Sequence, residues 1–222
     1  MKFIDDKSKN LKWWNRNYFF VGTIIVIIIN ILLFAICGND WESFYSVDSY
    51  DHWHNVFYFA PTIRSLLNAF SHANWQHVLL NMLCFAVAGS YLERKKGTFG
   101  TILYVLFGVY FSGIAVIAND LSIYYHGFSG VNYFIYAVII IEYLFSFRHE
   151  IRNKTNIVLG GIIVALIYLA MCFNGETSGF SFALYPYDLM TNLGHYSSFV
   201  VGIILALIIQ TTRFLAVRQK IK

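Results

Sequence analysis

Six apolar stretches, most of them long enough to cross a lipid bilayer, divide this chain of 222 residues. A spanning helix needs roughly 20 predominantly apolar residues, within a range of about 17–25. The stretches run Tyr18–Ile36, Val78–Tyr91, Phe99–Ile117, Gly130–Phe147, Ile157–Phe173 and His195–Gln210. The second reaches spanning length only if its helix begins near Trp75, and the charged run Glu93-Arg94-Lys95-Lys96 closes it. The first follows the basic stretch Lys7–Arg16 and is longer than the core of a signal peptide. Bulky Ile36 stands before Cys37, where a lipoprotein cleavage site would need a small residue, so this stretch is read as a retained helix. Composition agrees: 58% of residues are hydrophobic and only 13% charged, against about 25% charged in a soluble domain. Such a surface is tolerable where lipid is the solvent.

Charge tests the count. Lys and Arg accumulate in the cytoplasmic loops of membrane proteins. If six spans begin from a cytoplasmic N-terminus, every basic residue except Arg64 falls on the cytoplasmic side: the N-terminal tail, Arg94–Lys96, Arg148–Lys154 and the tail from Arg213. The opposite loops carry Asp40, Glu42, Asp48, Asp51, Asp120, Glu176 and Asp188. A wrong count would scramble this alternation. The net charge of +4 is therefore a topological signal, and nucleic acid is not an expected partner. The expected division is a cytoplasmic tail over 1–17, a six-helix membrane domain over 18–212 and a second cytoplasmic tail over 213–222. Asn39–Gln76 forms a long external loop with a helix-like stretch at Pro61–Phe70. Three cysteines without CxxC spacing indicate neither a zinc site nor a disulfide framework, although Cys37 and Cys172 both fall near the outer face. His52-x-His54 reads as loop polarity, HExxH is absent, and no metal or other cofactor is expected.

Polar residues inside spans are costly unless partnered and so suggest function. Gly127-Phe128-Ser129-Gly130 opens the fourth span. Its glycines permit a tight turn that leaves the hydroxyl at the start of a helix, where unpaired N–H groups favour an anion. Gly194-His195 opens the sixth span, and counting back from Arg213 at about 1.5 Å per residue sets His195 about 27 Å above the inner boundary. Counting from Arg148 puts Ser129 at a similar height, about 28 Å. Taken singly, the serine reads as a helix-packing contact and the histidine as an interface residue bonded to loop carbonyls; complementary chemistry at matched depth shifts the balance toward function. His77 and Asn81 lie four residues apart on one face of the second span, and both can donate hydrogen bonds to a developing oxyanion. Alternatively they are hydrogen-bonding glue between helices. Gly89, Glu93 and Gly97 form a GxxxExxxG stripe at the inner end of that span, read structurally: small residues for close helix approach, with a buried glutamate that needs a partner.

In this order, from about Arg64 to Gly202, these groups resemble the rhomboid family of intramembrane serine proteases. The stretch His72–Met82 resembles the family's entrance to its second helix, Gly89, Glu93 and Gly97 its GxxxExxxG, Gly127–Gly130 with Tyr133 its nucleophile motif, and Gly194-His195 with Gly202 its sixth-helix motif. The resemblance implies an all-α, six-transmembrane-helix bundle with a large first external loop. It implies Ser129 as nucleophile and His195 as general base, without an aspartate. The Ser129 N–H, His77 and Asn81 would hold the oxyanion, Tyr133 would stack on His195, and Arg64 would match the arginine of a Trp-Arg pair in the first loop. The implied substrates are transmembrane segments of other membrane proteins, admitted from the bilayer near the fifth helix and the loop 174–192. Oligomeric state is left open.

This sequence departs from the pattern in places. Ile63 stands where the tryptophan is expected, Ser197 and Ser198 replace glycines, and Phe134 and Ala137 fill positions that are usually small. Such bulk would hold the fourth and sixth helices apart, or Phe134 would face lipid. These departures motivate a second expectation, a catalytically inactive rhomboid-like protein that binds membrane-protein clients. A transporter would place broken or charged helices at mid-membrane, whereas these polar groups cluster near the outer face. Brevity and the lack of a targeting peptide favour a bacterial plasma membrane.

Overall fold

A computed structural model describes residues 20–37, 66–118, 127–149, 154–174, 181–186 and 193–219. The described residues form five α-helices: α1 Val21–Cys37, α2 Trp75–Ala118, α3 Ser129–His149, α4 Lys154–Met171 and α5 Leu193–Gln219. A 3-10 turn, Asn68–Phe70, precedes α2, and a two-residue antiparallel strand pair, β1 Phe173–Asn174 with β2 Ser181–Phe182, follows α4. Arg64, Ile63, His52, His54 and most of the long first loop lie outside the described residues, as does most of the loop 174–192.

α2 is two helical limbs in one. Gly97 has φ +74, left-handed backbone that glycine adopts without a Cβ penalty, and it separates residues 75–96 from 98–118. The charged run Glu93–Lys96 therefore stays helical, and the chain turns at Gly97, just beyond it. The helix also begins earlier than the apolar run. The Asn74 side chain accepts from the His77 N–H at 2.8 Å, an N-cap that starts the helix at Trp75. Apolar stretches of spanning length, Trp75–Ile114 and Leu193–Ala216, lie in α2 and α5, with shorter apolar helices at Val21–Cys37, Ser129–Phe145 and Ile157–Cys172.

α3 is the axis of the bundle. Every residue from Val131 to Ile139 is buried, and a helix apolar on all sides belongs at the centre. A glycine on each of three surrounding helices faces it. A Cβ on Gly108 of α2 would meet Val131 at 2.9 Å, one on Gly160 of α4 the Tyr143 ring at 2.5 Å, and one on Gly202 of α5 the Phe134 carbonyl oxygen at 2.5 Å. α5 makes the most extensive packing against α3, and α4 is more lightly held. This corrects the expectation that bulk at Phe134 separates the helices or faces lipid. The Phe134 ring turns to the second limb of α2, stacks on Phe111 at 6.2 Å and lies beside Gly108, while its backbone carbonyl faces Gly202 of α5. Ala137 needs only the absence of a Cβ on Gly202, and Ser198 is fully buried without holding the helices apart.

The outward faces are apolar. On α1, Gly22, Thr23, Val26, Asn30 and Phe34 are buried at helical spacing, whereas Ile24, Ile25, Ile28, Ile29 and Leu32 are exposed. Such a face is stable against lipid rather than water.

In the stripe of Gly89, Glu93 and Gly97 the buried glutamate finds the partners it was expected to need, while the glycines serve differently from expected. Gly97 packs against nothing and serves the turn, while Gly89 makes room for the ring of Phe85 on its own helix. Glu93 carries the load between helices. Its carboxylate accepts from the N–H groups of Gly22 and Thr23 at 2.9 and 2.8 Å, from the Thr23 hydroxyl at 2.8 Å and from Thr98 Oγ1 at 2.6 Å. It thus satisfies otherwise orphaned donors at the start of α1 and sits at the positive end of that helix's dipole. Nearby, Lys96 pairs with Glu142 of α3. Replacing Glu93 with alanine strands two N–H groups in an apolar setting, which costs about 1–3 kcal/mol for each unsatisfied group. A drop of several degrees in the thermal midpoint of Glu93→Ala in detergent is the expected result. A midpoint equal to the parent's would show that α1 is held by packing alone.

Candidate active site

α3 and α5 run in the same direction, and their N-termini bring a hydroxyl and an imidazole together. Ser129 is the first residue of α3 and His195 lies in the first turn of α5. Ser129 Oγ and His195 Nε2 are 2.7 Å apart, within the ordinary range for a hydrogen bond to oxygen. His195 is 5% exposed, and its ring lies 4.4 Å from that of Tyr133, nearly parallel at 20°. Tyr133 follows Ser129 by one turn of α3, so the same helix face that presents the hydroxyl presents the ring under the imidazole.

The turn before Ser129 is fastened from below. Gly127 has φ +116, and its N–H donates to the Asn68 carbonyl at 3.2 Å. The next N–H, of Phe128, donates to His72 Nε2 at 3.3 Å, while His72 Nδ1 lies 3.2 Å from the Phe70 carbonyl. A carbonyl only accepts, so the ring proton is on Nδ1 and Nε2 is left to accept. The Phe128 side chain is fully buried, edge-on to Phe85 at 5.1 Å and tilted against Phe70 at 6.0 Å.

His77 and Asn81, on the first limb of α2, approach the same turn. A Cβ on Gly127 would lie 2.8 Å from His77 Nε2 and 3.3 Å from Asn81 Nδ2. Gly127 is thus required twice, by its dihedral and by the space these groups occupy. Asn81 Nδ2 is buried with no hydrogen-bond partner among the described residues. Asn132 of α3, two per cent exposed, donates through Nδ2 to the Asn81 carbonyl at 3.1 Å and to its Oδ1 at 3.3 Å. Gly130 is buried beside Ser129 at the start of α3.

Ser129, His195, Tyr133, His77, Asn81 and Gly127 therefore occupy one place, while Arg64 lies outside the described residues and Gly89, Glu93 and Gly97 belong to the other end of the first limb. Sequence reasoning missed Asn68 and Asn132, and placed His72 in the stretch His72–Met82 without giving it a role. Asn68 carried no spacing signal. Asn132 carried one that went unread, as a polar residue inside an apolar helix. Chemically, a hydroxyl bonded to an imidazole can lose its proton to the ring as it attacks a carbonyl. Donors facing the same turn can stabilise the resulting charge. Among the described residues no group of histidines, cysteines and carboxylates is arranged to hold a metal ion.

A helical bundle with outward apolar faces, and a serine–histidine pair where two helices begin, describes a class of membrane protein. A family model, the rhomboid domain, matches residues 61–212, well over half of the chain. The chain belongs to the rhomboid family and is a membrane protein. It is similar to Rhomboid-like protein 11, chloroplastic, of Arabidopsis thaliana, at 22% identity over 206 residues, covering 90% of this chain and 70% of that protein.

Proposed function

We propose that this chain is an intramembrane serine protease that hydrolyses peptide bonds in or near transmembrane segments of other membrane proteins. The observation that carries this reading is the 2.7 Å contact between His195 Nε2 and Ser129 Oγ, with the donors of His77 and Asn81 facing the same turn. With the His195 proton on Nδ1, Nε2 takes the Ser129 proton as Oγ attacks the scissile carbonyl. The oxyanion lies against the Ser129 N–H, His77 Nε2 and Asn81 Nδ2 at the positive end of α3. The imidazolium then gives its proton to the leaving amine, and an acyl group remains on Ser129. Water, deprotonated by the same imidazole, releases the acid and restores the hydroxyl. Tyr133 keeps the ring facing Ser129 through the cycle.

In this reading the bundle has six spans, because the limbs of α2 on either side of Gly97 each cross the bilayer, and both termini lie in the cytoplasm. The first loop is external and the membrane is a bacterial plasma membrane; the sidedness of the basic residues supports the orientation. Ser129 and His195 then sit near the outer face, where water reaches them. Substrate comes laterally past α4, the lightly held helix, beside the turn that exposes Phe182, Leu184 and Tyr185. A helical peptide bond is shielded by its own hydrogen bonds, so the substrate segment must unwind locally to be cut.

The test is reconstitution of the purified protein with a single-span substrate and detection of its fragments. Two fragments whose new termini fall in or near the span are the expected result. Substrate retained by the protein without cleavage would instead fit a rhomboid-like binding protein.

A further inference from the structure

We propose that Asn132 is a positioning residue of this site, fixing the Asn81 carboxamide so that its N–H donors, not its oxygen, face the reacting carbonyl. The inference rests on the protease reading and adds a residue to it.

A carboxamide has a donor end and an acceptor end of nearly the same shape, so an isolated Asn81 offers either one to the site. Asn132 removes the ambiguity in two steps. Its own orientation is fixed first, because Nδ2 lies 3.1 Å from the Asn81 backbone carbonyl, which can only accept. With Nδ2 committed to that side, the atom of Asn81 it meets at 3.3 Å must also be an acceptor, so Oδ1 points at Asn132. Asn81 Nδ2 is then turned away, toward Gly127, where a Cβ would lie 3.3 Å from it. The donor is buried and has no internal acceptor among the described residues. A buried amide left without a partner costs about 1–3 kcal/mol, a cost that makes sense where a ligand oxygen completes the bond. Asn132 Oδ1 likewise has no partner among the described residues. The side-chain bonds that hold Asn132 thus go to Asn81 alone, whereas a residue serving mainly to tie helices together would use both ends.

Loss of Asn132 lets the Asn81 carboxamide turn over and present Oδ1, which repels an oxyanion and forms no bond to it. The expected signature is in kcat, because ground-state binding of the substrate segment does not depend on this donor. Asn132→Leu, apolar and close in volume, is expected to lower kcat about tenfold with KM unchanged. Asn81→Ala, which removes the donor itself, is expected to lower kcat about 100-fold or more. The double variant Asn81→Ala/Asn132→Leu is expected to be no slower than Asn81→Ala, since an absent donor needs no positioning. Asn132→Ala, which leaves space rather than bulk, is measured in parallel so that a folding failure of the leucine variant does not decide the matter. Thermal midpoints are recorded for all four.

Equal further losses of kcat in the parent and the Asn81→Ala backgrounds would overturn the positioning role in favour of a structural one. Unchanged kcat in a folded Asn132 variant of a cleaving parent would overturn it outright while leaving the protease reading intact. A parent that does not cleave would remove both.

Discussion

Ser129→Ala and His195→Ala are each expected to reduce cleavage by about 10⁴-fold or more, and the double variant to be no worse than either alone. The reason is that the two side chains act as one unit. The 2.7 Å bond makes the hydroxyl a nucleophile only while the imidazole can take its proton, so removal of either partner removes the whole contribution. Groups that work this way show gross non-additivity in rate. Ser129→Ala leaves the packing around α3 in place, whereas His195→Ala also removes a buried ring stacked on Tyr133. The thermal midpoint of Ser129→Ala should stay close to the parent's, and that of His195→Ala should fall modestly. Losses that multiply in the double variant would mean that the residues contribute independently, and the proton-transfer role of His195 would fail.

The second large effect is expected at a residue with no chemistry. A Cβ on Gly202 would lie 2.5 Å from the Phe134 carbonyl oxygen and 2.9 Å from Ala137 Cβ. Backbone cannot yield as the tip of a side chain can, so Gly202→Ala forces α5 away from α3. Overpacking of this kind costs about 1–3 kcal/mol. Gly202 lies two turns beyond His195 on the same helix face, so the displacement reaches the imidazole. A misplacement of about 1 Å can cost 100-fold in rate, and that is the expected loss, together with a lower thermal midpoint. Gly161→Ala is the matched control. Its Cβ would meet only the hydroxyl tip of Tyr143, at 3.2 Å, and near-parental activity is expected. Parental activity in Gly202→Ala would show that the helices are not as tightly apposed as 2.5 Å requires.

What the sequence made legible follows from where each signal lives. Helix positions are written locally, in apolar length and in the residues that start and stop a helix. Those residues also account for the shifts found here, since Asn74 caps α2 ahead of its apolar run and Gly97 turns the chain after a charged run that stays helical. Family motifs marked Ser129 and His195, and the family match agrees with the membership the motifs suggested. Partnerships across helices were not legible. The α1 donors that Glu93 accepts from lie about seventy residues away in the sequence. Whether Asn132 meets Asn81 depends on the rotation of α3 about its axis. The same rotation decides the fate of Phe134, whose bulk was expected either to wedge α3 from α5 or to face lipid and instead fills the room left by Gly108. A change of some tens of degrees would have exchanged those outcomes without altering any local pattern.

The proposal for the site depends on the Ser129 hydroxyl being made nucleophilic by His195. A fluorophosphonate offers the most direct measurement, because it reacts with an activated serine without needing the natural substrate. The intact, folded protein in detergent is exposed to the probe, digested and analysed by mass spectrometry. A single adduct on the peptide carrying Ser129, absent in His195→Ala at equal foldedness, is the expected result. An unlabelled Ser129 in folded parent protein, or labelling that persists without His195, would contradict it.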